Sequence, residues 1–138
     1  MNKPTLTVRI TSFSFKKGLP NDPSGNGGGY VFDCRCIPNP GIIEEYKQLT
    51  GLDSKVITYL EDLPFTQTFI SHITEIAKLS IARYIEREFT HIMFNFGCTG
   101  GQHRSVFFAE TLYEYVRKQF PNVSIVLQHR EQNIEKTL

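Results

Sequence analysis

The residues best equipped for chemistry in this 138-residue chain lie in one run, Cys98-Thr99-Gly100-Gly101-Gln102-His103-Arg104-Ser105. Gly100 and Gly101 let the backbone adopt conformations closed to other residues, so successive amides can point into one concavity that an anion can approach. If a helix starts just after them, its first amides have no intrahelical acceptor and its dipole adds partial positive charge at the same place. Thr99 and Ser105 offer hydroxyls, Gln102 an amide, and His103 a second cation when protonated. Arg104 supplies a planar fork that suits two phosphate oxygens at once. The run therefore reads as a phosphate-binding loop. A plain strand-to-helix turn needs about one glycine and a cap, whereas this one gathers glycines, cysteine, histidine and arginine.

Two further readings concern the same place. Cys98 and Arg104 are spaced Cys-x5-Arg, which resembles the signature loop of the protein tyrosine phosphatases. There the cysteine attacks phosphorus, the arginine holds the transferred oxygens, and a general acid protonates the leaving group. Asp33 or Asp53 would have to be that acid, and Gly97 stands where that family usually has histidine. A cysteine-dependent phosphatase is thus the alternative to a binding site. The pair Asp33 and Arg35 closes another strand-like run. If the two strands are neighbours, Asp33 can accept from a sugar hydroxyl or amine and Arg35 can meet phosphate. An ion pair with a structural role is an equal reading of those two residues. Lys16 and Lys17 could close over an anion, although lysines in loops are more often solvated.

These residues need a scaffold. Leu6 to Ile10 alternates apolar and polar residues, the pattern of a half-buried strand that ends near Phe13 to Phe15. Residues 21–29 concentrate Gly, Asn, Asp, Pro and Ser and read as a mobile loop. Residues 30–37 form a second strand, stopped by Pro38-Asn39-Pro40. A short helix is expected around residues 42–49 and another over 54–60, with Asp53 as its N-cap. From Phe65 to Ile85 apolar residues recur at three-and-four spacing, which marks a long helix. Residues 91–96 are a nearly continuous apolar run, suited to a central strand. It leads through Gly97 into the loop. Val106 to Val116 marks the following helix, and residues 123–127 return as a strand. The expected fold is a single α/β domain with about four strands, parallel or mixed, flanked by helices, and a glycine-rich phosphate-binding loop at a strand-to-helix junction. Residues 128–138 look polar and mobile.

Composition narrows the partners. Fifteen basic and fourteen acidic residues leave a formal charge of +1, so no global field marks a nucleic-acid or membrane-surface protein. No stretch approaches the ~20 apolar residues of a membrane span, and the N-terminus lacks the apolar core of a signal peptide, so the expectation is a cytoplasmic protein. The three cysteines and four histidines do not show metal-ligand spacing. Neither a metal nor a cofactor is expected.

Four blocks carry a resemblance that covers nearly the whole chain: Ser12-Phe-Ser-Phe-Lys-Lys-Gly18, residues 30–40, Thr50-Gly-Leu-Asp53, and above all residues 97–105 with their helix. Their order and spacing resemble the C-terminal domain of the bacterial RapZ RNase adapter family, grouped with nucleotide-binding proteins. The resemblance implies a non-catalytic sensor of glucosamine-6-phosphate whose pocket is lined by Asp33, Arg35, Cys98, Thr99, Gly100, Gly101, His103 and Arg104. It also implies a homo-oligomer and, in enterobacteria, a small regulatory RNA as partner. The nucleotide-binding Gly-x4-Gly-Lys-Ser/Thr motif is not found in this sequence, so the expectation is a stand-alone sensor domain. Family members often have histidine where Gly41 stands. The tail mixes Arg130 and Lys136 with Glu131 and Glu135, which argues against RNA contact through it.

Overall fold

A computed structural model describes residues 3–138. Five strands form one sheet in the order β2-β3-β1-β4-β5. β1 (Thr7–Ser14), β2 (Tyr30–Asp33), β3 (His91–Cys98) and β4 (Ser124–His129) run parallel, and β5 (Ile134–Thr137) pairs antiparallel with β4. β3 and β1 are central, with seven successive buried residues from Ile92 to Cys98. That explains the uninterrupted apolar run, since a strand covered on both faces has no solvent side to mark.

Three helices, α1 (Ser54–Glu61), α2 (Pro64–Glu86) and α3 (Arg104–Gln119), contribute to one core with the strands. α3 packs directly on β1, β3 and β4, and α2 packs on α3. Phe108, Ala109, Leu112 and Val116 of α3 share one buried cluster with Val8, Ile10, Phe94, Phe96, Ile125 and Leu127 of the sheet. The opposite sheet face buries Phe13 and Met93 beneath the segment that follows β1.

Two sequence expectations change. Residues 42–49 form no α-helix; two 3-10 turns, Pro40–Ile42 and Glu44–Tyr46, take their place. The tail expected to be mobile from residue 128 instead completes β4, makes a 3-10 turn (Arg130–Gln132) and returns as β5. Asn133, with φ of 57°, supplies the left-handed residue that reverses the chain. Within the loop at residues 21–29 the Asp22 carboxylate accepts from the Ser24 amide and hydroxyl and from the Gly28 amide.

Candidate functional site

The strand registers place the candidate residues before any side chain is considered. Ser14 lies level with Cys98, and Asp33 level with Gly97, so β1, β2 and β3 end together at one edge of the sheet. Residues 99–103 bridge β3 to α3 at that edge. Ligand sites of parallel α/β sheets lie beyond these carboxyl ends.

Four carbonyls of the loop are bonded to the scaffold. Thr99 O accepts the Ser14 hydroxyl at 2.6 Å, Gly101 O the Gln132 amide at 2.8 Å, and Gln102 O the Gly51 N–H at 3.0 Å. His103 O accepts the Phe107 amide at 3.0 Å as the first bond of α3. Among the described residues no acceptor meets the backbone N–H groups of residues 99–103. With four of the five carbonyls of residues 99–103 used elsewhere, what the loop offers the cavity is chiefly donors, at the positive end of a sixteen-residue helix.

Side chains fix the loop from three directions. Gln102 donates to Lys47 O and Leu49 O at 2.8 and 2.7 Å, and His103 Nε2 donates to Tyr46 O at 2.9 Å. A carbonyl only accepts, so Nε2 carries the proton and the Nδ1 edge faces Gly41. Gly51 is pressed against the start of α3: a Cβ there would stand 2.4 Å from His103 O and 2.6 Å from the Phe107 nitrogen. On the other side, Glu131 accepts the Ser14 N–H at 2.7 Å and binds Arg130, with Lys17 at 3.8 Å. Burial alone would raise the Glu131 carboxyl, but the Ser14 amide and Arg130 outweigh it and hold it below the ordinary glutamate range.

A cavity of about 200 Å³ opens beside the loop, lined by Asn39, Gly41, Cys98, Thr99, Gly100, Gln102, His103 and Arg104. Arg104 is 5% exposed. Its Nη1 donates to the carbonyls of Arg35 and Ile37 at 3.2 and 2.9 Å, while its buried Nε has no partner. A buried guanidinium N–H is costly to leave unpaired. Cys98 also lines the cavity; its thiol donates to Ser105 Oγ at 3.2 Å and accepts the Ser105 N–H at 3.4 Å.

Asp33 and Arg35 adjoin this cavity without lining it. They form a two-pronged pair, 2.9 and 2.7 Å, and the Arg35 guanidinium lies 4.1 Å from the centre of the Phe15 ring. The hydrogen bond from Arg35 holds the Asp33 carboxyl below its ordinary range. Asp53 is turned to the Thr50 amide at 2.7 Å and makes no side-chain cap to α1. Asn39 was not legible as a site residue, and Gly41 entered only as the position where the resembling family often has histidine. They belong to the turn after Pro38, where the Asn39 side chain accepts the Gly41 N–H, and a Pro-Asn-Pro stop following a strand that ends beside the loop is the signal that would have found them.

Of the three cations considered for RNA, Lys118, Arg130 and Lys136, the two in the tail are engaged. Arg130 bonds Gly18 O and Glu131, and Lys136 lies 4.6 Å from the centre of the Tyr113 ring. Among the described residues no helix is long and apolar enough to cross a membrane.

Comparison with known proteins agrees with the extent of the fold. The RapZ C-terminal domain model matches residues 6–133. A nucleotide-binding protein of Staphylococcus epidermidis is 38% identical over 134 residues, covering 97% of this chain and 42% of its own length. Nucleotide-binding proteins of Thermotoga sp. strain RQ2 and Petrotoga mobilis are 40% and 41% identical, over 94% and 91% of this chain and 43% and 42% of theirs. The chain thus spans about two-fifths of the length of these relatives.

Proposed function

This chain belongs to the RapZ C-terminal domain family, and from that premise and the loop geometry we propose that it binds a small phosphorylated metabolite in the cavity beside residues 98–105. The class that fits is an amino-sugar phosphate such as glucosamine-6-phosphate, bound as a signal without turnover. The observation that carries this reading is that buried Arg104, whose Nε has no partner, lines a cavity rimmed by loop amides that lack acceptors. A phosphate there meets the loop amides and the guanidinium charge at once. Thr99 adds a hydroxyl. The Nδ1 edge of His103 and the Asn39 side chain supply polar contacts for the sugar. Asp33, beside the cavity, suits its ammonium or hydroxyl groups once the bond to Arg35 is shared.

Calorimetric titration with glucosamine-6-phosphate and with inorganic phosphate tests this. Heat from both, tighter for the sugar phosphate, is expected; no heat from either overturns the reading.

The contact between Cys98 and Ser105 favours phosphatase chemistry as a second reading, because it sets a thiol at the cavity wall beside Arg104. Against it stands the engagement of both candidate acids, Asp33 with Arg35 and Asp53 with Thr50. Turnover of an aryl phosphate that Cys98→Ser removes would establish it, and no turnover would dismiss it.

A further inference from the structure

One face of the β2/β3 pair carries a column of like residues. Tyr30 lies opposite Phe94 with rings stacked 5.4 Å apart, and Phe32 opposite Phe96 at 5.3 Å. Side chains alternate along a strand, so the next position on this face is Cys34 opposite Cys98. The backbone continues that far: the Cys34 N–H donates to Gly97 O at 2.8 Å, the parallel-ladder bond that places Cys34 level with Cys98. Both cysteines are buried, at 0% and 2% exposure, and both belong to the same core cluster.

We infer that Cys34 and Cys98 are a reversible dithiol switch, oxidised to a disulfide by a hydroperoxide and closing the cavity beside the loop. Adjacent strands lie about 4.8 Å apart, inside the span of Cα positions that a disulfide bridges, yet Cβ atoms must approach to about 4 Å. Closure therefore draws the end of β3 toward the turn after β2. Strain of this kind makes a disulfide easy to reduce, the property of regulatory bonds as opposed to structural ones.

Cys98 reacts first, because it lines the cavity that reaches solvent and Cys34 does not. Burial also pushes the Cys34 thiol well up, so it is the poorer first nucleophile of the two. The Cys98 sulfur, having released its proton, attacks the terminal peroxide oxygen; the O–O bond breaks and the leaving alkoxide or hydroxide takes up that proton, leaving a sulfenic acid. The Cys34 sulfur then attacks the Cys98 sulfur. An S–S bond forms, the S–O bond breaks, and hydroxide departs with the Cys34 proton as water. Two thiols give two electrons to one peroxide. Cys36 is exposed and makes no part of the pair.

The loss of affinity rests on the phosphate-binding reading, whereas the bond itself does not, so the test reads them separately. The full chain is treated with hydrogen peroxide and mapped by mass spectrometry of unreduced peptides. The expected result is a Cys34–Cys98 cross-link that dithiothreitol removes, retained in Cys36→Ser and lost in Cys34→Ser. Oxidised protein should bind inorganic phosphate at least tenfold more weakly, with recovery on reduction. A bond that includes Cys36, full oxidation of Cys98 without any intramolecular bond, or a mapped bond with undiminished phosphate affinity overturns the switch. If reduced protein binds no phosphate at all, the binding reading fails while the mapped bond still decides the chemistry of the pair.

Discussion

Gln132 donates its side-chain amide to the carbonyl oxygen of Gly101 at 2.8 Å, joining the last turn of the chain to the loop between β3 and α3. The contact spans the sheet edge from β4 to β3, and it helps to keep that carbonyl away from the cavity. Gln132→Ala should therefore weaken phosphate binding several-fold, with a stability loss of about 1 kcal/mol from one hydrogen bond. Calorimetry and thermal denaturation measure the two effects. Lost stability with unchanged affinity would show that the tail braces the fold and not the loop.

Glu131 makes that brace pH-dependent. Its folded carboxyl lies below the ordinary glutamate value of about 4.3, so the proton is bound more tightly in the unfolded chain. The resulting stabilisation is fully present above about pH 4.3 and is lost as pH falls through the depressed folded value. Wild type should thus melt above Glu131→Gln at neutral pH, and the gap should narrow on acidification. A gap that is constant from neutral to acid pH would assign the difference to packing against Gly101 and not to charge.

Gly100 and Gly101 should separate structure from binding. Gly101 has φ of +65°, and a Cβ there would stand 2.6 Å from the Glu131 Cγ and 2.8 Å from the Ser14 nitrogen. Gly101→Ala should cost about 1–3 kcal/mol from backbone strain, with further loss from the clash. Gly100 has nothing within 4 Å of a Cβ, so Gly100→Ala should melt near wild type. Because Gly100 lines the cavity, the added methyl should still lower phosphate affinity. Equal melting temperatures for the two variants would contradict this assignment.

The central strand and its loop were legible because burial of β3 on both faces and the start of α3 leave local marks: an apolar run, then glycines, then Arg104. β5 was not. Ile134-Glu-Lys-Thr137 is exposed at every position and has no apolar face to announce a strand; its pairing with β4 arises from the reversal at Asn133 and the ladder itself. Arg35 shows a different limit. Its spacing from Asp33 allowed both a ligand contact and an ion pair, and only the fold reveals that Phe15 covers the guanidinium. The facing of Cys34 and Cys98 likewise depends on the β2/β3 register, which sequence periodicity does not set.

Arg104 performs two tasks that conservative replacement should divide. Its Nη1 ties the carbonyls of Arg35 and Ile37 to α3, and in the proposed function its charge and remaining N–H groups serve the ligand. Arg104→Ala leaves both carbonyls without that donor, so a loss of about 2–4 kcal/mol is expected from two charge-assisted bonds. Binding lost in that variant alone would be ambiguous. Arg104→Lys keeps the charge and one donor for the carbonyls but has no second, fixed N–H to aim at phosphate. It should fold with a smaller stability loss while binding phosphate at least about tenfold more weakly, equivalent to ~1.4 kcal/mol. Circular dichroism melts and calorimetry on the same samples measure both quantities. Wild-type affinity in Arg104→Lys would mean that the amides and the helix end hold the anion without the guanidinium, and would reduce Arg104 to the fastening between α3 and the turn after β2.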